Sequence, residues 1–229
     1  MRVLITGTNS GLGRYLSEKF IGCDKLSRDS EFPTDEFDLI IHCAFNSTHY
    51  EYVDDIDYNY INDNIFLTDR LTKLKHKKFI YISSIDVFTC LNPYSFLKKV
   101  SESIVKKNCD EYNILRCSAL LGDYSKNNTF MKIYKEDTPS VFLSSDSEFN
   151  YILYSDVYDF IVKDIDTDIY NFTSSDNILL KDVSEFFNKK VSYGDFCYKT
   201  KQVDNKETIK LFSQLDKTSL DSIKEFVNE

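Results

Sequence analysis

Arg2-Val3-Leu4-Ile5-Thr6-Gly7-Thr8-Asn9-Ser10-Gly11-Leu12-Gly13-Arg14-Tyr15-Leu16-Ser17-Glu18-Lys19-Phe20 decides the fold. Residues 2–5 read as a short buried strand, and the apolar positions after Gly13 recur at helical spacing. Three of the chain's six glycines fall in the seven residues from Gly7 to Gly13. Strand, glycine turn, helix is the context of a phosphate-binding loop. Glycine permits the tight turn and a close backbone approach, and the helix N-terminus offers free N–H groups and the positive end of its dipole to an anion.

A second constellation lies further along. Phe79-Ile80-Tyr81-Ile82-Ser83-Ser84 reads as a strand that ends in two hydroxyls, and open α/β sheets bind ligands at the carboxyl ends of their strands. Tyr94 and Lys98 stand four positions apart, so they share one face of a helix. An ammonium beside a phenol is expected to lower the phenol's pKa from about 10, which suits proton transfer at neutral pH. Ser84, Tyr94 and Lys98 are the candidate catalytic residues.

Between these two, Lys25-Leu26-Ser27 reads as the end of a second strand, followed by Arg28. That is where a carboxylate would hold a ribose 2′-hydroxyl or an arginine would accept a 2′-phosphate. With no carboxylate at Ser27, the expectation is NADP(H); Asp29 and Glu31 are close enough to keep NAD(H) open.

Taken together, these features resemble the short-chain dehydrogenase/reductase superfamily, and more closely its extended, nucleotide-sugar-modifying branch. The resemblance runs over nearly the whole chain. Asp38-Leu39-Ile40-Ile41-His42-Cys43-Ala44 is similar to the family's Asp-hydrophobic-His-x-Ala strand, and Asn59 falls where the family places an Asn ahead of a helix. Ile114-Leu115-Arg116 with Gly122, Asn150-Tyr151-Ile152 with Ser155-Asp156-Val157, and Ile169-Tyr170-Asn171-Phe172 resemble later family strands in their order. The resemblance implies a Rossmann-like, doubly wound parallel sheet, with residues 1–120 and 151–172 forming the cofactor domain. A small substrate lobe would comprise residues 121–150 and 173–229. It also implies a cofactor site of Gly7, Asn9, Ser10, Gly11, Leu12, Gly13, Arg14, Ser27, Arg28, Cys43, Ala44, Phe45, Asn59, Tyr94, Lys98 and Cys117. A substrate site would comprise Ser84, Asp86, Ala119, Asn128 and Tyr151, although a buried core position is the stronger expectation for Tyr151.

The chain departs from the family pattern in several places. Its Thr-Gly-x-x-x-Gly-x-Gly spacing belongs to the short, single-domain branch. Phe88-Thr89 replaces a common Tyr-Gly, and Ala119 stands where many nucleotide-sugar enzymes have Asn. Ten positions separate Ser84 from Tyr94, a compact loop similar to that of capsule-synthesis UDP-4-keto-6-deoxy-sugar reductases. Ten positions also separate Arg28 from Asp38, too few for the family's intervening helix and strand, so the sheet is expected to be one strand short on that edge. Ile85 occupies the place of the dehydratases' Asp, and of the cysteine of reductases that also epimerise.

The resemblance implies an NADP(H)-dependent reductase of a keto-sugar, in its finest form a nucleotide-linked 4-keto-6-deoxy sugar. The alternatives are a nucleotide-sugar 4-epimerase that retains NAD, and a non-catalytic NADP-binding regulator on the same fold. Members of the last class typically lose the tyrosine or the lysine, and both are present here.

Composition narrows the classes further. A net charge of −9 over 229 residues argues against nucleic acid. No apolar run reaches the length of a membrane helix, and a strand beginning at Arg2 leaves no room for a signal peptide, so a cytoplasmic protein is expected. Six scattered cysteines without Cys-x-x-Cys pairs read as buried free thiols. His42, His49 and His76 lack the spacing of a zinc site, so no metal is expected. The run Lys73, Lys75, His76, Lys77, Lys78 reads as the solvated end of a helix. Helices carrying Tyr94 and covering about residues 62–75 pair two subunits in many family members, so a homodimer is expected.

Overall fold

The computed structural model describes residues 1–48 and 55–228; His49 lies outside them. The chain runs β1 (Val3–Thr6), α1 (Gly11–Lys19), β2 (Asp24–Leu26), β3 (Phe37–His42), α2 (Tyr58–Ile61), a π-helical turn (Asn62–Phe66), α3 (Leu67–Thr72) and β4 (His76–Ser84). A 3-10 turn (Ile85–Phe88) then leads to α4 (Pro93–Asn108), β5 (Tyr112–Cys117), β6 (Ala119–Leu121), α5 (Thr129–Lys135), β7 (Ser140–Leu143), β8 (Glu148–Phe149), β9 (Tyr151–Leu153), α6 (Tyr154–Val162) and β10 (Asp168–Phe172). Short elements follow: β11 (Ile178–Leu179), α7 (Leu180–Phe186), β12 (Ser192–Phe196), α8 (Lys206–Leu211) and α9 (Ser219–Asn228).

Six strands form one parallel sheet in the order β10-β5-β4-β3-β1-β2. This is a Rossmann-like doubly wound sheet, and strand alternation divides its core. Val3 and Ile5 face one apolar cluster with Leu12, Leu16 and Phe160, while Leu4 faces another with Leu71, Phe79 and Val105. Burial on both faces explains why these strands read as unbroken apolar runs. Residues 27–36 contain neither helix nor strand, so β2 is the sheet's edge and the expected missing strand is missing.

A third cluster gathers Leu121, Phe130, Tyr151, Leu153, Leu180 and Phe226, fed by α5, α7, α9 and three two-stranded ribbons. Phe212 and Leu215, late in the chain, return to the first core. Phe212 lies 5.5 Å from Phe160, centroid to centroid.

Two readings of the sequence are corrected here. The basic run is not all helix end, because α3 stops at Thr72 and β4 begins at His76. Its lysines are spoken for one by one: Lys73 by Asp69, Lys75 by Glu36, Lys77 by Asp38 and Lys78 by Asp164. Nor are the thiols all buried, since Cys90 and Cys197 are exposed. No helix among the described residues is long and apolar enough to cross a membrane.

Candidate active site

The chain order reverses between β1 and β3, which opens a crevice at their carboxyl ends. Two connected cavities fill it. One, of about 390 Å³, joins the glycine loop to Ser84, Tyr94, Lys98, Cys43, Cys117, Ser118 and Lys126. The other, of about 560 Å³, continues from Gly7, Asn9 and Ser10 to Ser27, Arg28, Asn46, Asp63 and Arg70. Gly7, Ser10, Ala44 and Phe45 line both, so the cleft is continuous from Arg28 to Tyr94.

The glycine loop is built on backbone proximity. Gly7 has φ +74°, and a Cβ there would sit 2.8 Å from the Ala44 nitrogen; a Cβ on Gly13 would meet the Gly7 carbonyl oxygen at 2.3 Å. The turn therefore needs glycine at both positions. The Gly11 amide already donates to the Tyr124 carbonyl at 2.8 Å, which leaves Leu12 and Gly13 as the amides at the start of α1 for an anion.

Ser84 closes β4, and its Oγ accepts the Asp86 amide at 3.2 Å, which keeps its own hydrogen free to donate. Tyr94 stands in the first turn of α4, which is capped by a reciprocal Asn92–Ser95 box with Pro93 at its first position. The cap sets where Tyr94 leaves the helix. The Tyr94 phenol lies beside the Ser84 hydroxyl, and its ring meets the edge of Phe45 at 5.0 Å.

Lys98 is buried. Its Nζ donates to the Ile82 carbonyl at 2.7 Å and lies 4.4 Å from the Phe45 ring centroid and 4.9 Å from that of Tyr81. Cation–π contact and one hydrogen bond offset part of its desolvation. Burial nonetheless pulls the Lys98 pKa down to about 8.

The expected effect of Lys98 on Tyr94 is not what the geometry produces. Burial, followed by the nearby Asp86 carboxylate, raises the Tyr94 pKa above its ordinary value. Lys98 Nζ is turned to Ile82 and stands 6.0 Å from the Tyr94 ring centroid, so desolvation outweighs it. The phenol is held protonated.

Behind the strand end, Glu102 of α4 accepts both Arg116 nitrogens, at 2.9 and 2.7 Å, and the Ser83 hydroxyl at 2.8 Å. This buried network ties β4, β5 and α4 together beside Ser84. It also neutralises Arg116.

Several expected residues stand away from the cleft. Arg14 pairs with Glu18 at 3.2 Å and lies over the Tyr124 ring at 4.1 Å. Asn59 is exposed on α2; the buried asparagine of that segment is Asn64, which accepts the Asn46 amide at 2.7 Å and donates to the Asn46 carbonyl at 3.2 Å. Asn128 spends its side chain capping α5 through the Met131 amide. Tyr151 is buried in the third cluster, 5.1 Å from Phe130. Ala119 is half-buried against that same cluster. Asp86 does not line the cleft and faces the hydroxyl of Tyr198, 3.4 Å away.

Sequence reasoning missed Ser118, Asn46, Asp63 and Lys126, all of which line the cleft. Ser118 carries a signal of its own: its buried hydroxyl has no hydrogen-bond partner among the described residues. A buried unpaired hydroxyl is costly, and a ligand amide would satisfy it. A nicotinamide dinucleotide fits the cleft on that account and through the glycine turn.

No family model matches the chain, and no curated protein matches it in sequence. Solved structures do match. A UDP-glucuronic acid 4-epimerase from Bacillus cereus, in complex with UDP-glucuronic acid and NAD, superposes with TM-score 0.72 at 17% identity, covering 98% of this chain and 99% of that one. A dTDP-4-dehydrorhamnose reductase from Bacillus anthracis, in complex with NADP, gives 0.73 at 18%, covering 99% and 98%. An NAD-dependent NDP-hexosamine 5,6-dehydratase of tunicamycin biosynthesis gives 0.75 at 15%, covering 100% and 98%. At such identities the likeness is one of fold.

Proposed function

We propose that this protein is a nicotinamide-dinucleotide-dependent enzyme of nucleotide-sugar metabolism, a reductase of a keto-sugar and in its finest form of a nucleotide-linked 4-keto-6-deoxy sugar. One observation carries the reading: a single continuous cleft holds the glycine turn, Ser84, Tyr94 and Lys98. The fold neighbours, an epimerase, a reductase and a dehydratase acting with NAD or NADP, support the substrate class.

When bound, the nicotinamide supplies the hydride. Tyr94 gives its phenolic proton to the carbonyl oxygen as negative charge develops there, and Ser84 donates a hydrogen bond to the same oxygen. A phenol held protonated suits this reductive direction. Lys98 keeps a positive charge beneath the reacting groups and is assigned to the nicotinamide ribose, while the unpaired Ser118 hydroxyl is assigned to the carboxamide. The lobe of residues 121–150 and 173–229 is assigned to the sugar nucleotide.

The test is turnover. Purified protein should consume NADPH when offered dTDP- or UDP-linked 4-keto-6-deoxyhexoses. Tight dinucleotide binding with no turnover of any keto-sugar would instead identify a binding protein.

Cofactor choice is assigned to Arg28, as a preference for NADP(H). If its guanidinium holds the 2′-phosphate, Arg28→Ala should weaken NADPH by about 1.5 to 3 kcal/mol and barely change NADH, as read by titration of cofactor fluorescence. Equal losses for both would remove the assignment. A second reading, a 4-epimerase with retained NAD, is favoured by the Arg28–Asp63 pair at 2.7 Å, which already occupies the arginine. Mass spectrometry of ligand carried through native purification separates the two, since retained NAD marks the epimerase.

A homodimer is proposed through α4 and the segment 58–72. Tyr58, Phe66 and Phe96 are exposed there, with the Tyr58 and Phe66 rings 6.2 Å apart. Exposed aromatic residues on adjacent helices suit a symmetric contact. Light scattering should give twice the chain mass at micromolar concentration, and a monomer mass would reject the contact.

A further inference from the structure

At the end of the cleft away from Tyr94, Arg28 Nη2 donates to Asp63 Oδ2 at 2.7 Å, and Asn46 Nδ2 donates to the same oxygen at 2.9 Å. The two charged partners are unequally held. Asp63 stands in the π-helical turn beside Asn64, which is buried and bonded to both backbone groups of Asn46. Its side chain is 21% exposed, whereas that of Arg28 is 73% exposed. The carboxylate is therefore anchored, and the guanidinium is free to swing.

We propose, resting on the dinucleotide reading of this cleft, that Asp63 sets whether it takes a ribose with a 2′-hydroxyl or with a 2′-phosphate. No carboxylate ends β2, where such discrimination is ordinarily placed; here one reaches the same arginine from a helix on the other side of the cleft. A 2′-phosphate must take Arg28 from Asp63 and then sit beside a fixed carboxylate. Like charges cost about fivefold in affinity per unit-charge pair at about 4 Å, even in water. A 2′-hydroxyl meets no such repulsion and can donate to the carboxylate. Wild-type protein thus accepts both dinucleotides with a muted preference. Removing the carboxylate frees Arg28 and leaves it with Arg70, whose guanidinium lies 3.9 Å from the Phe32 ring in the same cleft.

Asp63→Asn keeps the side chain's shape and the contact to Asn46 while deleting the charge. NADPH, NADH, 2′,5′-ADP and 5′-ADP are titrated against wild type and variant at low and high salt, with circular dichroism as the check on folding. Asp63→Ser replaces Asp63→Asn should the latter not fold. The expected result is about five- to thirtyfold tighter binding of NADPH and 2′,5′-ADP, with NADH and 5′-ADP within about threefold, and a gain that shrinks at high salt. An NADPH-to-NADH ratio that stays within about twofold of wild type while both still bind would overturn the role of Asp63 and leave the cleft's reading standing. Failure of wild-type protein to bind any of the four would overturn the dinucleotide reading, and this role of Asp63 with it.

Discussion

Tyr94→Phe should lower turnover of the native substrate by on the order of 10²- to 10⁴-fold, the usual worth of a general acid. The substitution keeps the ring against Phe45 and leaves the cap of α4, which depends on Asn92, Pro93 and Ser95. Only the proton is lost, so cofactor affinity should stay within a few-fold. Stability should change little: the phenol lies beside Ser84, and the Ser84 oxygen keeps the Asp86 amide as a partner. The deciding measurement is the single-turnover rate with reduced cofactor and keto-sugar. A rate within a few-fold of wild type means the tyrosine is not the acid, and the catalytic reading fails with it.

Lys98→Met is expected to act in two opposite directions. Turnover should collapse by a factor comparable to that of Tyr94→Phe, and cofactor binding should weaken as well, because the lysine is assigned to the ribose as well as to the charge beneath the reacting groups. The two substitutions should be far from additive, since residues that act as a unit are removed together by either change. Stability should move the other way. Replacing a buried ion with an apolar side chain of similar length is commonly neutral or stabilising by about 1 to 4 kcal/mol, so the unfolding midpoint at neutral pH should hold or rise.

The pH dependence gives this expectation its sign. Folding lowers the Lys98 pKa from 10.5 to about 8, so between those values this site binds more proton in the unfolded chain than in the folded one, and its contribution to stability gains with rising pH. Below about pH 8 both states carry the proton and the cost of burying it is fully present. Denaturant unfolding of the cofactor-free protein should show wild type gaining stability relative to Lys98→Met between about pH 8 and 10.5, because the thiols of Cys43 and Cys109, whose raised pKa values cost stability in alkali, are common to both. A relative stability that stays flat over that range would show that Lys98 does not titrate there. Activity should follow the reverse course in wild type, falling as pH rises through about 8 and the lysine loses its charge.

Features written within about twenty consecutive residues were legible from the chain alone. The glycine turn between β1 and α1, the strand ending at Ser84 and the Tyr94–Lys98 helix all appear where their local patterns put them. So does the shortened sheet edge, because ten positions between Arg28 and Asp38 cannot hold a helix and a strand whatever the rest of the chain does. Asn59 shows the margin of such reading. The segment was identified, but the buried asparagine is Asn64, five residues on in a π-helical turn that shifts the helical register.

Electrostatic roles were not legible in that way. Arg14, Arg28 and Arg116 look equivalent as cations in an acidic chain, yet folding matches them with Glu18, Asp63 and Glu102 in turn. Only Arg28 remains on the cleft. The sign of the Tyr94 shift likewise depends on how much water folding removes and on where the Lys98 ammonium points, and its hydrogen bond to Ile82 turns it aside. By itself, the sequence determined the order of the elements, the backbone cradle and the placing of Ser84, Tyr94 and Lys98 on a strand end and one helix face, because turn chemistry and periodicity act between near neighbours in the chain. Tertiary structure alone decided which charges are neutralised, which hydroxyls are left unpaired and which protons are held, because charge pairing and desolvation depend on separation in space and exclusion of water, and neither is written along the chain.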